Sequence, residues 1–417
     1  MLSFFQRTTV RRHLYQTGAN IIAHGAGLVL GVILARLLEP EHFGEVAYIF
    51  AIVQLCLIPV SIGLGQILVS KGHEAGDFRE ILSITYLVCL IRLVVVFGVC
   101  GFYAIKGETV QSALVLLIGL PDVFTIFNEV LRSELEGEAQ FEQNFVAVVA
   151  SSVGQFIFTI PAAVAGWGAF ALALRGGIQF FFCFLVYRYF LKKPLLTKLS
   201  FKGWRKISWY GGSLWLMNMS NIVFERLDKW FIGVYGTNAL LGLYVRGYNY
   251  AMLSHHALSS LINNPTIAAL ARQPELKARM RLLLKTSVIV FAGGSANFVL
   301  WRYFSDPLVV WIFGAHWAGS IPYFEAFAGI ALCHGFFRIP LVLLCAHKEF
   351  ASIGVVRLFG SGFLLIYLLN WASVENLIAI AYLLQAILIV QGLALYVKAW
   401  QVERRNWLNS NPRTVET

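Results

Sequence analysis

"ARLLEPEHFGEVAYIFA" (residues 35–51) and "GVYGTNALLGLYVRGYNYA" (residues 233–251) are two versions of one pattern: a helix end, a short polar turn and a second apolar helix. Laying Gly44 on Gly242, 198 positions further on, also brings Asn20 onto Asn218, each near the start of the helix before the turn. The chain therefore reads as two halves. Between them lies the longest strongly basic stretch, "LKKPLLTKLSFKGWRK" (191–206), expected to rest as a short amphipathic segment on a membrane surface. We expect one lobe over residues 1–199 and a second, with a tail, over residues 200–417.

Composition says what kind of halves these are. The chain is 58% apolar and 13% charged, with a mean hydropathy of +0.69. An ordinary soluble domain is roughly 45–50% apolar and about 25% charged. Apolar runs of about 20 residues, enough to cross a ~30 Å hydrocarbon core, recur throughout. Twelve spans are predicted, over 15–37, 43–69, 81–105, 112–134, 141–165, 168–190, 207–235, 239–268, 283–304, 321–345, 350–371 and 375–399. The fold class expected is an all-α polytopic membrane protein with about 12 transmembrane helices in two six-helix lobes. Six is even, so both lobes share an orientation and are related by a pseudo-two-fold along the membrane normal, with a site between them near the midplane. The connection "SDPLVVWIFGAHWAGS" (305–320) is apolar enough to lie along the interface or re-enter.

Charge sets the sidedness. The amino terminus, the even-numbered loops with adjoining span ends, and the tail carry 23 Lys and Arg; the odd-numbered loops carry four, Arg36, Lys106, Arg246 and Arg302. The positive-inside bias places both termini in the cytoplasm. The net charge of +11 is thus a topology signal and a contact with anionic lipid head groups, not a nucleic-acid footprint. The start "MLSFFQRTTVRRHLYQTG" is basic, but the helix after it is too long for a removed leader and lacks a small-residue cleavage pattern. Six cysteines lie in or beside apolar runs without a C-x-x-C pair, which reads as buried hydrophobes and not as disulfides or metal ligands. No G-x-x-x-x-G-K-[ST], H-E-x-x-H or G-x-S-x-G motif occurs, and no loop is long enough to hold a glycosyl donor. We expect no catalytic residue, metal or cofactor; movement would be driven by the cargo's own gradient, by H+ or Na+, or by downstream consumption.

Polar residues inside the spans mark the candidate site. In "NIVFERLDKWFIG" (221–233) and the turn before it, Asn218, Asn221, Glu225, Asp228 and Lys229 share a helical face roughly 100° wide, with Arg226 at its edge. Glu225 and Lys229 form an i,i+4 pair in the favourable order, acid first. In span one Thr17, Asn20, His24, Gly27 and Gly31 form one stripe. Its glycines read as close helix packing, while Asn20 and His24 read as cavity lining or as interhelical hydrogen bonds. The other intramembrane ionisable residues are Arg92, Asp122, Glu129, Arg175, Arg338 and Arg357. Each costs at least about 2.5–3.5 kcal/mol at a bilayer centre facing lipid, so each should point inward or pair. Span eight adds Tyr248, Asn249, His255, His256, Asn263 and Asn264; the two histidines differ by about 100°, so at most one faces a central cavity. The interior is slightly cationic, which suits an anionic cargo because arginine grips phosphate bidentately. Pairing with an acid is the equal alternative for any one arginine.

"GVILARLLEPEHFGEVAYIFAIVQL" (31–55) with "IGLGQILVS" (62–70) resembles the opening of bacterial lipid-linked oligosaccharide flippases, the O-antigen and exopolysaccharide transporters of the multidrug/oligosaccharidyl-lipid/polysaccharide exporter superfamily. "ERLDKWFIGVYGTNALLGLYVRGYNYAML" (225–253) with "INNPTIAALAR" (262–272) is similar to the matching part of their second half. The resemblance implies two six-helix lobes around a hydrophilic, often cationic cavity. It also implies a carrier that turns an undecaprenyl-pyrophosphate-linked oligosaccharide from the cytoplasmic to the periplasmic leaflet of the bacterial inner membrane. Its partners would be the lipid-linked oligosaccharide, membrane lipids, and the polysaccharide polymerase with other assembly proteins. Spans one, two, seven and eight would line the cavity, bringing in Asn20, His24, Asn218, Asn221, Glu225, Asp228 and Lys229; Asp228 matches the family pattern best. The family often has a basic residue after the "Y" of "GYNY"; here that position is Asn249, and the basic residue comes earlier as Arg246. Arg92, Arg175 or Arg357 is expected near the pyrophosphate. An ion-coupled multidrug exporter of the same superfamily is the alternative, favoured by an acidic cavity; a membrane glycosyltransferase or polymerase would need a sizeable extracytoplasmic loop.

Overall fold

A chain inside hydrocarbon must satisfy every backbone N–H and C=O internally, so long apolar runs without a period of two become helices. The computed structural model describes residues 2–61, 63–64, 75–138, 140–195, 200, 204–253, 255–256, 266, 270 and 276–410. Among the described residues there are fourteen α-helices, three short 3-10 turns and no strand. The first half holds α1 (Leu2–Leu37), α2 (Pro40–Cys56), α3 (Ala75–Ile105), α4 (Thr109–Gly137), α5 (Phe141–Val164) and α6 (Ala169–Phe190). The second holds α7 (Trp204–Tyr235), α8 (Asn238–Ala251), α9 (Leu276–Tyr303), α10 (Ser305–Phe313), α11 (Ile321–Phe327), α12 (Ile330–Ala346), α13 (Phe350–Asn370) and α14 (Leu377–Ser410).

Eight helices are long and apolar enough to cross a membrane, and Ala315–Phe327 with Ile330–Ala346, bent by 41°, makes a ninth. The three remaining crossings of the twelve are α2, α7 and α8. Among these, α7 is long enough but carries Glu225, Arg226, Asp228 and Lys229. The tenth span is therefore a broken helix. Its loosened carbonyls are met by side chains: Gln385 Nε2 donates to Ala326 O at 2.8 Å and Asn297 Nδ2 to Ala328 O at 3.4 Å.

Lipid tails are as apolar as leucine, so the bundle is held by packing, close approach and interhelical polar contacts. Three apolar cores result among the described residues, a small one around Leu30, Leu34 and Leu172 and two large ones. Of the large ones, one is built on Ile49, Leu82, Val88, Leu114, Val130, Leu131 and Ala147, the other on Phe224, Ile232, Tyr244, Trp301, Phe327, Leu344 and Leu388. Val94, Phe97, Phe359 and Phe363 point outward and are exposed, as a lipid face requires.

The lobes touch most closely where α2 crosses α8. A Cβ on Gly44 would lie 1.7 Å from the carbonyl oxygen of Asn238, and one on Gly242 would lie 1.9 Å from that of Pro40. Asn238 stands 198 positions beyond Pro40, as Gly242 does beyond Gly44, so exchanging the lobes maps this contact onto itself. Only glycine allows two helix starts to approach this closely.

One local expectation changes, and two segments gain definite contacts. Gly27 faces open space, while Gly31 packs on the Tyr250 hydroxyl of α8, so close packing holds for one glycine of the stripe. In the basic linker, residues 191–195 and 200 are irregular chain, and α7 begins at Trp204. Tyr86 donates to Leu195 O at 2.9 Å, and the backbone N–H of Ser200 to Ser83 Oγ at 3.0 Å, pinning the linker to α3. In residues 305–320, α10 and the turn after it cap the end of α1 in the other lobe. Trp317 Nε1 donates to Ala35 O at 2.7 Å, and the Arg36 guanidinium donates to the carbonyls of Trp311 and Ile312.

Candidate functional site

The polar groups of the first lobe converge on one face of α4. Asp122, Thr125 and Glu129 are spaced i, i+3, i+7, which aligns them on a helix. Arg92 of α3 donates to Asp122 Oδ2 at 2.8 Å, and Gln54 of α2 donates to Asp122 Oδ1 at 2.9 Å. Both ends of the Arg92–Asp122 pair are largely buried, and it neutralises two charges that would be costly apart. With Ser61, and with Asn218 and Asn221 of α7, these groups line a cavity of about 320 Å³ between the lobes. Behind α4 lies a second cavity, of about 580 Å³, enclosed by α2, α4, α5 and α6. Gln155, Arg175 and Gln179 stand in it, and Asp122, Thr125 and Glu129 belong to both walls. The two cavities therefore share one polar partition.

The second lobe holds its polar groups differently. Asp228 and Lys229 are 1% and 3% exposed, and Lys229 Nζ donates to Asp228 Oδ1 at 3.1 Å. Tyr244 donates its hydroxyl to Asp228 Oδ2 at 2.8 Å, and Lys229 Nζ sits 4.2 Å from the centre of the Tyr248 ring. The predicted five-residue face of α7 is thus divided: Asn218 and Asn221 line the cleft, while Asp228 and Lys229 turn into the lobe core and satisfy each other. Glu225, half-buried, lies ten residues before the helix end at Tyr235, which is about 15 Å inside at ~1.5 Å per residue. It therefore stands well inside the helix, not at a frayed end. Arg357 of α13 is buried; its Nε donates to Asn221 Oδ1 at 2.9 Å and its Nη1 to Gln391 Oε1 at 3.3 Å. Phe224 and Phe337 flank its guanidinium.

Of the three arginines expected near an anion, Arg92 is paired with a carboxylate, while Arg357 and Arg175 bond amides; Arg175 Nε donates to Gln155 Oε1 at 3.3 Å. Asn20 and His24 lie half-buried on α1, and His256 stands within electrostatic reach of His24. His255 is buried with its ring 5.1 Å from that of His334, while His256 is exposed, so one histidine of the pair faces outward from the lobe core. Asn263 and Asn264 lie outside the described residues. Arg246 lies in an aromatic box at the lobe contact, 4.2 Å from the Phe43 ring centre and 4.5 Å from that of Trp317; Asn249 is exposed.

Sequence reasoning named Asp122 and Glu129 as intramembrane acids without placing them in the site, and it passed over Gln54, Thr125, Gln155 and Gln179. The helical alignment of Asp122, Thr125 and Glu129 was an available signal. The glutamines carried none, since an uncharged amide in an apolar run has no period of its own.

A twelve-span bundle of two lobes around a polar cleft defines a membrane carrier architecture. Known proteins agree on the fold. The chain superposes on a lipid II flippase MurJ in an inward closed conformation with a TM-score of 0.73, at 13% identity, covering 91% of this chain and 86% of that one. It superposes on an inward-facing multidrug resistance MATE family transporter of the MOP superfamily with a TM-score of 0.67, at 14% identity, covering 93% and 96%. A family model described as "Polysaccharide biosynthesis protein" matches residues 33–322, and the chain belongs to that family. The succinoglycan biosynthesis transport protein ExoT of Rhizobium meliloti (strain 1021) is 23% identical over 310 residues, covering 72% of this chain. The match spans 61% of that relative's length. These relatives and neighbours are named as transporters and flippases, not enzymes, and the resemblance read from residues 31–70 and 225–272 is borne out.

Proposed function

We propose that the protein is a flippase for a lipid-linked oligosaccharide, carrying an undecaprenyl-pyrophosphate-linked unit from the cytoplasmic to the periplasmic leaflet of a bacterial inner membrane by alternating access. The observation that carries this reading is the polar cleft between the lobes, walled by the Arg92–Asp122 pair, Gln54, Glu129, Asn218 and Asn221. A glycan and a diphosphate cannot cross hydrocarbon unaided, because each unpaired polar group costs several kcal/mol there. A wall of amides and charges supplies those partners. The family and the transport protein named above support a polysaccharide cargo, and the MurJ-like fold supports a lipid-linked one.

The lobes meet at the end where α1, α7 and α9 finish, which the distribution of Lys and Arg assigns to the periplasm. Loading from the cytoplasmic side follows. Of the expected phosphate contacts, Arg92 keeps that role best, since it alone of the three lines the cleft, while Arg175 stands in the cavity behind α4 and Arg357 is engaged by Asn221 and Gln391. The carrier needs no cofactor of its own, and an H+ or Na+ gradient can drive it. The test is genetic and biochemical. In a strain without a redundant flippase, deletion should leave lipid-linked repeat units on the cytoplasmic leaflet and remove the surface glycan. Normal surface glycan without accumulation would sink the proposal.

A further inference from the structure

The cavity behind α4 has a character the cleft lacks. It is the larger of the two, it lies within one lobe, and it shares the wall of Asp122, Thr125 and Glu129 with the cleft. Its uncommitted groups are mostly neutral or balanced. Gln179 is exposed to it and bonds no other side chain among the described residues, Gln155 uses its Oε1 on Arg175 and keeps its amide N–H groups, and Glu129 presents an exposed carboxylate. Asn128 is more than nine-tenths buried in the wall; it donates to Phe180 O at 3.0 Å and leaves its Oδ1 without a donor. Phe50 and Phe180 supply ring surface beside these groups.

Interleaved donors and acceptors with ring faces between them suit one ligand class, a hydroxyl-rich uncharged ring with apolar C–H faces. An anionic ring would meet Glu129, and a cationic amphiphile would meet Arg175. The equivalent polar groups of the second lobe are consumed internally: Asp228 by Lys229 and Tyr244, Arg357 by Asn221 and Gln391. The two lobes therefore divide the work.

We infer that the cavity within the first lobe is a saccharide-recognition pocket, taking an uncharged hexose unit of the cargo next to its diphosphate, with Gln155, Gln179 and Glu129 as the groups that read its hydroxyls. This rests on the flippase reading and assigns the sugar to one lobe, beside the cleft that takes the diphosphate.

Two soluble probes separate the inference from that reading: farnesyl diphosphate, and farnesyl diphosphate glycosylated with glucose. Binding to the purified full-length protein in nanodiscs should be about five- to tenfold tighter for the glucosylated probe, the worth of one to two hydrogen bonds. The double variant Gln155→Leu/Gln179→Leu should erase that difference while leaving farnesyl diphosphate binding unchanged. As a measurement independent of those two losses, Gln179→Cys should be alkylated by a polar maleimide, and the glucosylated probe should slow the reaction where farnesyl diphosphate does not. Equal binding of both probes to the wild type, or a glucose advantage that survives in the double variant, would overturn the pocket while sparing the flippase. Binding of neither probe would overturn both.

Discussion

Asp228 and Lys229 are adjacent in sequence and in space, and their burial decides what substitution does. Removing one partner of a buried pair leaves an uncompensated charge in a low-dielectric interior, a loss of about 3–5 kcal/mol. Asp228→Ala should therefore lower thermal stability in detergent markedly, and Asp228→Ala/Lys229→Met should recover much of the loss. A double variant as unstable as the single one would show that the pair is not the unit. Five polar residues were expected on one face of α7 because a helical wheel counts angle alone. The structure divides them because two neighbouring helices meet α7 at different heights. Asn218 and Asn221 look onto the cleft, while Asp228, nearer the outer end, meets Tyr244 of α8.

Between α2 and α8 the crossing leaves no room for a side chain. Gly44→Ala or Gly242→Ala puts a methyl group into opposing backbone, and overpacking of this kind costs about 1–3 kcal/mol and forces the helices apart. Each should abolish transport in membranes at normal insertion levels. Gly27→Ala, in open space on α1, should transport like the wild type and serves as the matched control. Transport by Gly44→Ala at the wild-type rate would mean the crossing is not needed in the cycle. This contact was half legible in the sequence: the alignment at Gly44 and Gly242 pointed to a repeat, but nothing in the letters showed that the two copies touch.

For the whole molecule, the question is what holds the lobes together at one end. Arg36 reaches from α1 to the last carbonyls of α10, and Trp317 and His316 both bond Ala35 O. These are contacts across the lobe boundary that any outward opening must break. Arg36→Ala should weaken the closed end by about 1–2 kcal/mol, given its exposure to solvent. That is roughly a five- to thirtyfold change in population. Spin labels on Lys106 and Trp371, on outer loops of opposite lobes, should report it as a growing long-distance component in double electron–electron resonance. An unchanged distance distribution would remove Arg36 from the latch.

Hydropathy and charge were enough for the class of protein and for about twelve crossings, because a bilayer imposes length, apolarity and sidedness on each span separately; the repeat came from the alignment at Gly44 and Gly242. The site was less legible. Arg92, Asp122, Arg175 and Asn221 were visible as costly intramembrane polar residues, yet whether each pairs within a lobe or faces a cavity depends on neighbours 20 to 136 positions away. That choice is made by the packing of helices against one another. It committed Arg357 and Asp228 to the interior of one lobe, left Glu129 and Gln179 open in the other, and carried residues 305–320 across to close the far end.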